Sequence, residues 1–268
     1  MNLASKNISY EKGRWMILFS ISFIWIYKFF HLSWLSQIGA SPYWSGSSDR
    51  IHHVLEGIGY FSLLRKHIFC LGFIDLGIST CIILLWSRMF QKTASYLLLI
   101  LGILYFITYR SIIAHPEHQM IGFLILSFLF LFEDKKSFSD FWKLSRYYVA
   151  FIFISAALWK MSRGSAWDPD ALQKILLIQF PQYYLNRNEE IPFFALQIIK
   201  GKLSSTLIWN SVILLELSFL LSFIKPRWNQ GLGICLLLFL VADACFMQIY
   251  FIEFAPLSLL FFYQPTDI

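Results

Sequence analysis

Seven apolar runs divide this chain, at about 15–32, 68–87, 94–110, 118–132, 147–162, 207–224 and 230–251. Each approaches the ~20 residues with which a helix crosses a ~30 Å hydrocarbon core, some only marginally. An eighth stretch, Ala255 to Tyr263, is short, and Glu253 and Pro256 interrupt it as in half of a broken helix. Such runs admit few folds, because a backbone in lipid must satisfy its own hydrogen bonds. The expectation is all-α: a polytopic transmembrane bundle of seven or eight helices, forming one domain over 1–268. With 57% hydrophobic and 14% charged residues, the chain has too little polar surface for a water-soluble globule.

Between the runs lie two long loops, 33–66 and 163–206. The first carries Trp34, Tyr43, Trp44, Tyr60 and Phe61 among glycines and the adjacent His52-His53, which reads as a hydrated loop feature. The second contains Ala171-Leu172-Gln173-Lys174-Ile175-Leu176-Leu177, an amphipathic run after a helix start at Asp168-Pro169-Asp170. Aromatics beside charges suit the membrane interface, so helix 171–179 and part of 33–66 are expected there, roofing a cavity.

The net charge of +6 is scattered over the flanks of apolar runs rather than gathered into a patch, so no nucleic acid is expected as a partner. Counting Lys6, Lys12, Arg14, Arg88, Lys92, Lys135, Lys136, Lys143, Arg146, Lys225 and Arg227 as inside puts the N-terminus in the cytoplasm. Both long loops then lie outside the cell (inner) membrane. Nothing before Trp15 resembles a cleavable signal, so the run to Tyr27 is expected to stay as the first membrane helix. Cys70, Cys81, Cys235 and Cys245 sit in apolar segments without a Cys-x-x-Cys and read as small buried hydrophobes.

Ionisable residues inside the apolar runs narrow the chemistry, since charges at membrane depth usually face a bundle interior. Lys160 closes the helix Ala156-Ala157-Leu158-Trp159-Lys160, shortly before Trp167. A lysine so placed either snorkels to water or serves as a base. In the expected topology His115, His118, Lys160, Asp243 and Gln248 share the outer half of the bundle, with Trp159, Trp167 and Phe153 around the lysine. Asp243 also suits a plain role of neutralising Lys160. Asp75 and Glu216, with Lys28 as a candidate partner, suit a structural buried pair as well as they suit a functional one. The His115/His118 spacing suits a metal, but Pro116 breaks that face and no third ligand has zinc spacing, so no metal is expected.

The order of these features resembles the membrane domain of vitamin K-dependent gamma-carboxylases and their bacterial relatives, the HTTM (horizontally transferred transmembrane) proteins. The likeness runs from Arg14 to about Phe262. Glu117-His118 before Met120-Ile121-Gly122-Phe123-Leu124 is similar to that family's Asn-His segment. Ala156 to Trp167 is similar to its small-residue helix ending in Lys and then Trp, with a spacing two residues longer here. Glu216 with Lys225-Pro226-Arg227 is similar to its acidic helix and basic flank. Gln248 matches the family's His-to-Gln spacing, while Asp243 stands where the family has the histidine.

The resemblance implies Lys160 as the base that deprotonates a lipid quinol (vitamin K-like), with His118 beside it. It also implies Trp159, Trp167, Asp243 and Gln248 around the cofactor. Three functions follow as expectations. One is an enzyme acting on a quinol or modifying an exported peptide or protein at the outer face. Another is a DoxX-like membrane redox partner, and the third is a non-catalytic membrane subunit. Membrane lipid is a partner in all three.

Overall fold

A computed structural model describes residues 5–31, 33–38, 50–67, 69–112, 120–180, 184, 191–247 and 249–266. Nearly all of this is helix: α1 (Tyr10–Phe30), α2 (Leu35–Ile38), α3 (Arg50–Gly57), α4 (Tyr60–Lys66), α5 (Phe69–Trp86), α6 (Gln91–Ile112) and α7 (Ile121–Leu129). There follow α8 (Lys135–Ser162), α9 (Ala171–Gln179), α10 (Phe193–Lys200), α11 (Lys202–Ser218), α12 (Leu221–Ile224), α13 (Asn229–Met247) and α14 (Leu259–Phe262). Tighter 3₁₀ turns run over Pro226–Trp228 and Ile252–Ser258. Two short strands, β1 (Lys6–Ser9) and β2 (Tyr263–Thr266), pair in a two-stranded sheet.

Among the described residues, five helical stretches are long and apolar enough to cross a membrane: Tyr10–Gln37, Phe69–Trp86, Gln91–Tyr109, Leu203–Ile224 and Pro226–Met247. Their surfaces suit a hydrocarbon surrounding. In α1 a buried stripe of Ile17, Ile21 and Ile24 faces inward at helical spacing, yet Phe19, Phe23, Ile26 and Phe30 face outward and exposed. The same outward apolar side chains recur at Phe73, Leu76 and Ile83 of α5, and at Leu238 and Val241 of α13. Water would penalise so many exposed apolar groups in contiguous helices, whereas hydrocarbon accepts them.

The remaining expected crossings are shorter or more charged. α7 has nine residues, which rise only ~14 Å. In α8 the uncharged part, 147–159, rises ~20 Å between Arg146 and Lys160. Ala255 to Tyr263 is divided between a 3₁₀ turn around Pro256 and the short α14, as its proline requires.

The described chain divides into two compact units, one holding 8–139 with 265–266 and the other 140–264 with 5–7. In the first, α1 starts at Ser9, whose hydroxyl accepts from the Lys12 amide at 3.4 Å. α5 and α6 form a hairpin in close contact, and Gly77 marks the closest approach. A Cβ there would lie 2.8 Å from Leu101 Cδ1. Asp75 of α5 captures α2: its carboxylate accepts from the Leu35 amide at 3.3 Å, the Ser36 amide at 2.8 Å and the Ser36 hydroxyl at 2.7 Å. Lys28, buried near the end of α1, has its ammonium 5.8 Å from the Tyr105 ring and 5.3 Å from the Tyr109 ring.

The second unit is built on aromatic packing. Phe153 stacks on Phe219 at 4.6 Å and meets Phe239 edge-on at 5.3 Å. Helix α9 begins just after Asp168-Pro169-Asp170, as its sequence indicates. It buries Ala171, Leu172 and Leu176 against Ile198 and Ile199 of α10 and Trp209 and Ile213 of α11. Its polar side ties neighbouring chain ends together, with Gln173 donating to the Ile199 carbonyl at 3.0 Å and Gln179 to the Met247 carbonyl at 3.2 Å. On the exposed side Lys174 bonds Asp168 at 2.6 Å, which raises the pKa of the Lys174 ammonium.

Candidate functional site

Lys160 stands in the last turn of α8, where a cation complements the helix dipole. Its carbonyl accepts from the Ser165 hydroxyl at 3.0 Å and the Ala166 amide at 3.2 Å, closing the turn that follows. One turn earlier, Ala157 is fully buried against the α9–α11 cluster, so the small side chain lets α8 sit close to its neighbours.

The Lys160 side chain turns inward and is only 18% exposed. Its ammonium forms an ion pair and hydrogen bond with Glu216 Oε1. It also lies 5.1 Å from the centre of the Trp209 ring. Trp209 is held in turn by its indole N–H, which donates to the Ser165 carbonyl at 2.8 Å. Helix α11 therefore presents Trp209, Ile213 and Glu216 on one face, at the i, i+4, i+7 spacing of an inward stripe. Glu216 is 2% exposed, and among the described residues its Oε2 has no hydrogen-bond partner. Asp243 of α13, half-buried, lies within electrostatic reach of both Lys160 and Glu216.

One ammonium and two carboxyls thus share an apolar surrounding. A single ammonium neutralises a single carboxylate, and an uncompensated buried charge is costly.

No family model, curated protein or solved structure matches the chain.

Among the residues picked out by the sequence, the structure brings Lys160 and Asp243 into one cluster. His115, His118 and Gln248 lie outside the described residues. Trp159 and Trp167 are 60% and 75% exposed, and the ring over the ammonium is that of Trp209 instead. Phe153, two turns before Lys160, belongs to the aromatic core. Asp75 and Glu216 each have partners within their own unit: the α2 backbone and hydroxyl for Asp75, the Lys160 ammonium for Glu216. Trp209 was legible only as part of an apolar run. Its seven-residue offset from Glu216 was the available signal, since an aromatic and an acid two turns apart share a helix face.

Among the described residues there is no group of His, Cys, Asp and Glu that could hold a metal ion. Cys70, Cys235 and Cys245 are partly or well exposed, and only Cys81 is the buried small hydrophobe that all four were expected to be.

Proposed function

We propose that this chain is a multi-pass membrane protein in which Lys160, Glu216 and Asp243 form an intramembrane proton-exchange site. Its substrate would be a lipid-soluble acid of the quinol class. The observation that carries this is the buried Lys160–Glu216 pair with a second carboxyl, Asp243, in reach. Transfer of the ammonium proton to Glu216 or Asp243 leaves a neutral amine able to take a phenolic proton from a quinol. The apolar walls favour a lipid-borne substrate, and Trp209 offers an aromatic face beside the amine.

The resemblance to the HTTM and gamma-carboxylase membrane domain supplies the quinol, and His118 and Gln248 as further members of the site. An exported peptide or protein is the second substrate in that scheme. The bundle then has its N-terminus in the cytoplasm, with α7 and α8 completing seven crossings and α9 lying in the outer interface.

The test is spectroscopic. The protein in nanodiscs is mixed anaerobically with a short-chain quinol, and the red-shifted absorption of the quinolate is followed. It is expected with the wild type and absent in Lys160→Ala and Lys160→Arg, since a guanidinium stays protonated at any working pH. Absence of both binding and quinolate in the wild type would sink the assignment.

A second function has one observation in its favour: Glu216 neutralises Lys160 outright, as in a purely structural pair. A non-catalytic membrane subunit predicts that Lys160→Arg keeps full cellular function.

A further inference from the structure

We propose that the unit formed by 8–139 carries a phosphate-binding pocket, built to take the headgroup phosphate of an anionic lipid, where α1 begins and α5 turns into α6. It uses none of the residues around Lys160, so it stands or falls separately from the proton-exchange site. The pocket has a volume of about 70 Å³ and is lined by Glu11, Arg14, Trp15, Arg88, Gln91 and Phe130, among others. That is several times the ~10–15 Å³ a single water needs, so a tetrahedral anion has room.

The Arg14 guanidinium is fixed by neutral groups. It donates to Tyr10 Oη at 2.6 Å and to Gln91 Oε1 at 3.4 Å, while Tyr10 Oη donates to the Glu133 carbonyl at 2.7 Å. The Tyr10 and Phe130 rings lie 5.5 and 5.4 Å from it. Among the described residues Arg14 has no carboxylate partner. A guanidinium offers five N–H donors, so this one is held in place with donors to spare.

Arg88 is the second cation. It occupies a left-handed backbone conformation, φ 57°, that a non-glycine residue adopts only at a cost. Its guanidinium lies 5.2 Å from the centre of the Trp15 ring. Glu11 reaches Arg88 at 3.5 Å, but both side chains are more than half exposed, so the pair is weak and exchangeable. Two guanidiniums and one carboxylate leave the pocket with a net positive charge, and forked donors match phosphate oxygens.

The surroundings favour a lipid over a free ion. The pocket lies at the end of three membrane-length helices, where headgroups sit. Trp15 and Trp86 pack at 5.2 Å beside it, both partly exposed in the manner of an interfacial belt. Phe19 and Phe90 extend the exposed apolar surface on either side, where acyl chains would lie.

The experiment uses the full chain, delipidated in detergent. Binding of phosphatidylglycerol, phosphatidylcholine and inorganic phosphate is measured by native mass spectrometry and calorimetry. Phosphatidylglycerol should bind with about one site and at least about tenfold more tightly than phosphatidylcholine, and the preference should shrink as salt is raised. Arg14→Gln should weaken it by about tenfold, and Arg14→Gln with Arg88→Gln should abolish the preference. Arg14→Lys keeps the charge without the fork and should fall between. Glu11→Gln removes the competing anion and should tighten binding several-fold, a gain that a mere topology signal would not give. Inorganic phosphate competing as well as the lipid would keep the phosphate site and assign it to a free anion. Equal binding of phosphatidylglycerol by the wild type and the double glutamine variant would overturn the proposal. So would unaltered or weakened binding in Glu11→Gln, which needs no loss of charge from the fold.

Discussion

Asp75 and Glu216 are both acids in the middle of apolar helices, and both are almost fully buried. Their surroundings differ in one respect. Asp75 spends its two oxygens on three neutral donors of α2, the Leu35 and Ser36 amides and the Ser36 hydroxyl. Those amides belong to the first turn of a helix, where backbone N–H groups have no internal partner, so acid and helix end satisfy each other. Glu216 meets an ammonium with one oxygen and, among the described residues, nothing with the other. A carboxyl whose acceptors are all used is a fastener. One that shares a single ammonium with a second acid and leaves an oxygen without a partner is only part-satisfied. The two acids thus differ in how completely their oxygens are satisfied, a difference that composition cannot supply.

The largest expected effect comes from breaking the charged arrangement on one side only. Glu216→Ala removes the hydrogen-bonded anion of the Lys160 ammonium, leaving Asp243 as its only carboxyl in reach among the described residues, and should cost up to about 3–5 kcal/mol in detergent unfolding. Lys160→Leu combined with Glu216→Leu should recover most of that loss, because a packed apolar pair needs no counter-charge. If the double variant is no more stable than Glu216→Ala, the ion pair is not what holds these helices.

For Asp75 the loss should be smaller and of another kind. Asp75→Ala orphans α2 donors and should cost about 1–3 kcal/mol. Asp75→Asn retains an acceptor oxygen and should cost less, with quinolate formation at Lys160 unaltered in both. A loss of quinolate in Asp75→Asn would erase the contrast between the two acids.

Gly77→Ala tests packing alone. The new Cβ meets Leu101 Cδ1, the end of a flexible side chain, so the cost should be about 1 kcal/mol and should diminish in Gly77→Ala with Leu101→Val. A loss as large as that of Glu216→Ala would mean that the α5–α6 hairpin, not the charged cluster, dominates stability.

The smallest effect is expected at Asp134, where Oδ1 accepts from the Ser137 amide at 2.7 Å at the start of α8. That hydrogen bond lowers the carboxyl's pKa below its ordinary value. The contribution is therefore present above the unfolded value of ~3.9 and lost as pH falls through the lower folded one. Melting of Asp134→Asn should fall slightly below the wild type at neutral pH and converge with it as pH is lowered past the unfolded value of ~3.9; a difference confined to alkaline pH would contradict the sign.

Where periodicity alone decides, the fold was legible in the sequence. The apolar runs of α1, α5, α6, α11 and α13 became helices of membrane length, and 171–179 became α9 at the boundary that Asp168-Pro169-Asp170 announced. They part where partners must be chosen. The tryptophans nearest Lys160 in sequence, Trp159 and Trp167, face outward, because residues adjacent to a helix's last inward position lie on other faces. The expected count of crossings also outran the described long spans, since α7 is short and α8 carries Arg146 and Lys160 at the ends of its apolar part.

What the sequence determined by itself is the secondary structure and its apolar surfaces: five runs became helices long and apolar enough to cross a membrane, since a backbone in hydrocarbon has no alternative to the helix. The tertiary structure alone decided which ionisable groups meet. Lys160 and Glu216 are 56 residues apart, and nothing local distinguishes Glu216 from Asp75 as the lysine's anion. The pairing depends on which faces of α8 and α11 meet, with Ala157 and Ile213 in one buried cluster. Helical periodicity is a one-dimensional property of the chain, whereas charge pairing in a bundle depends on how several helices are rotated about their axes, which only their packing sets.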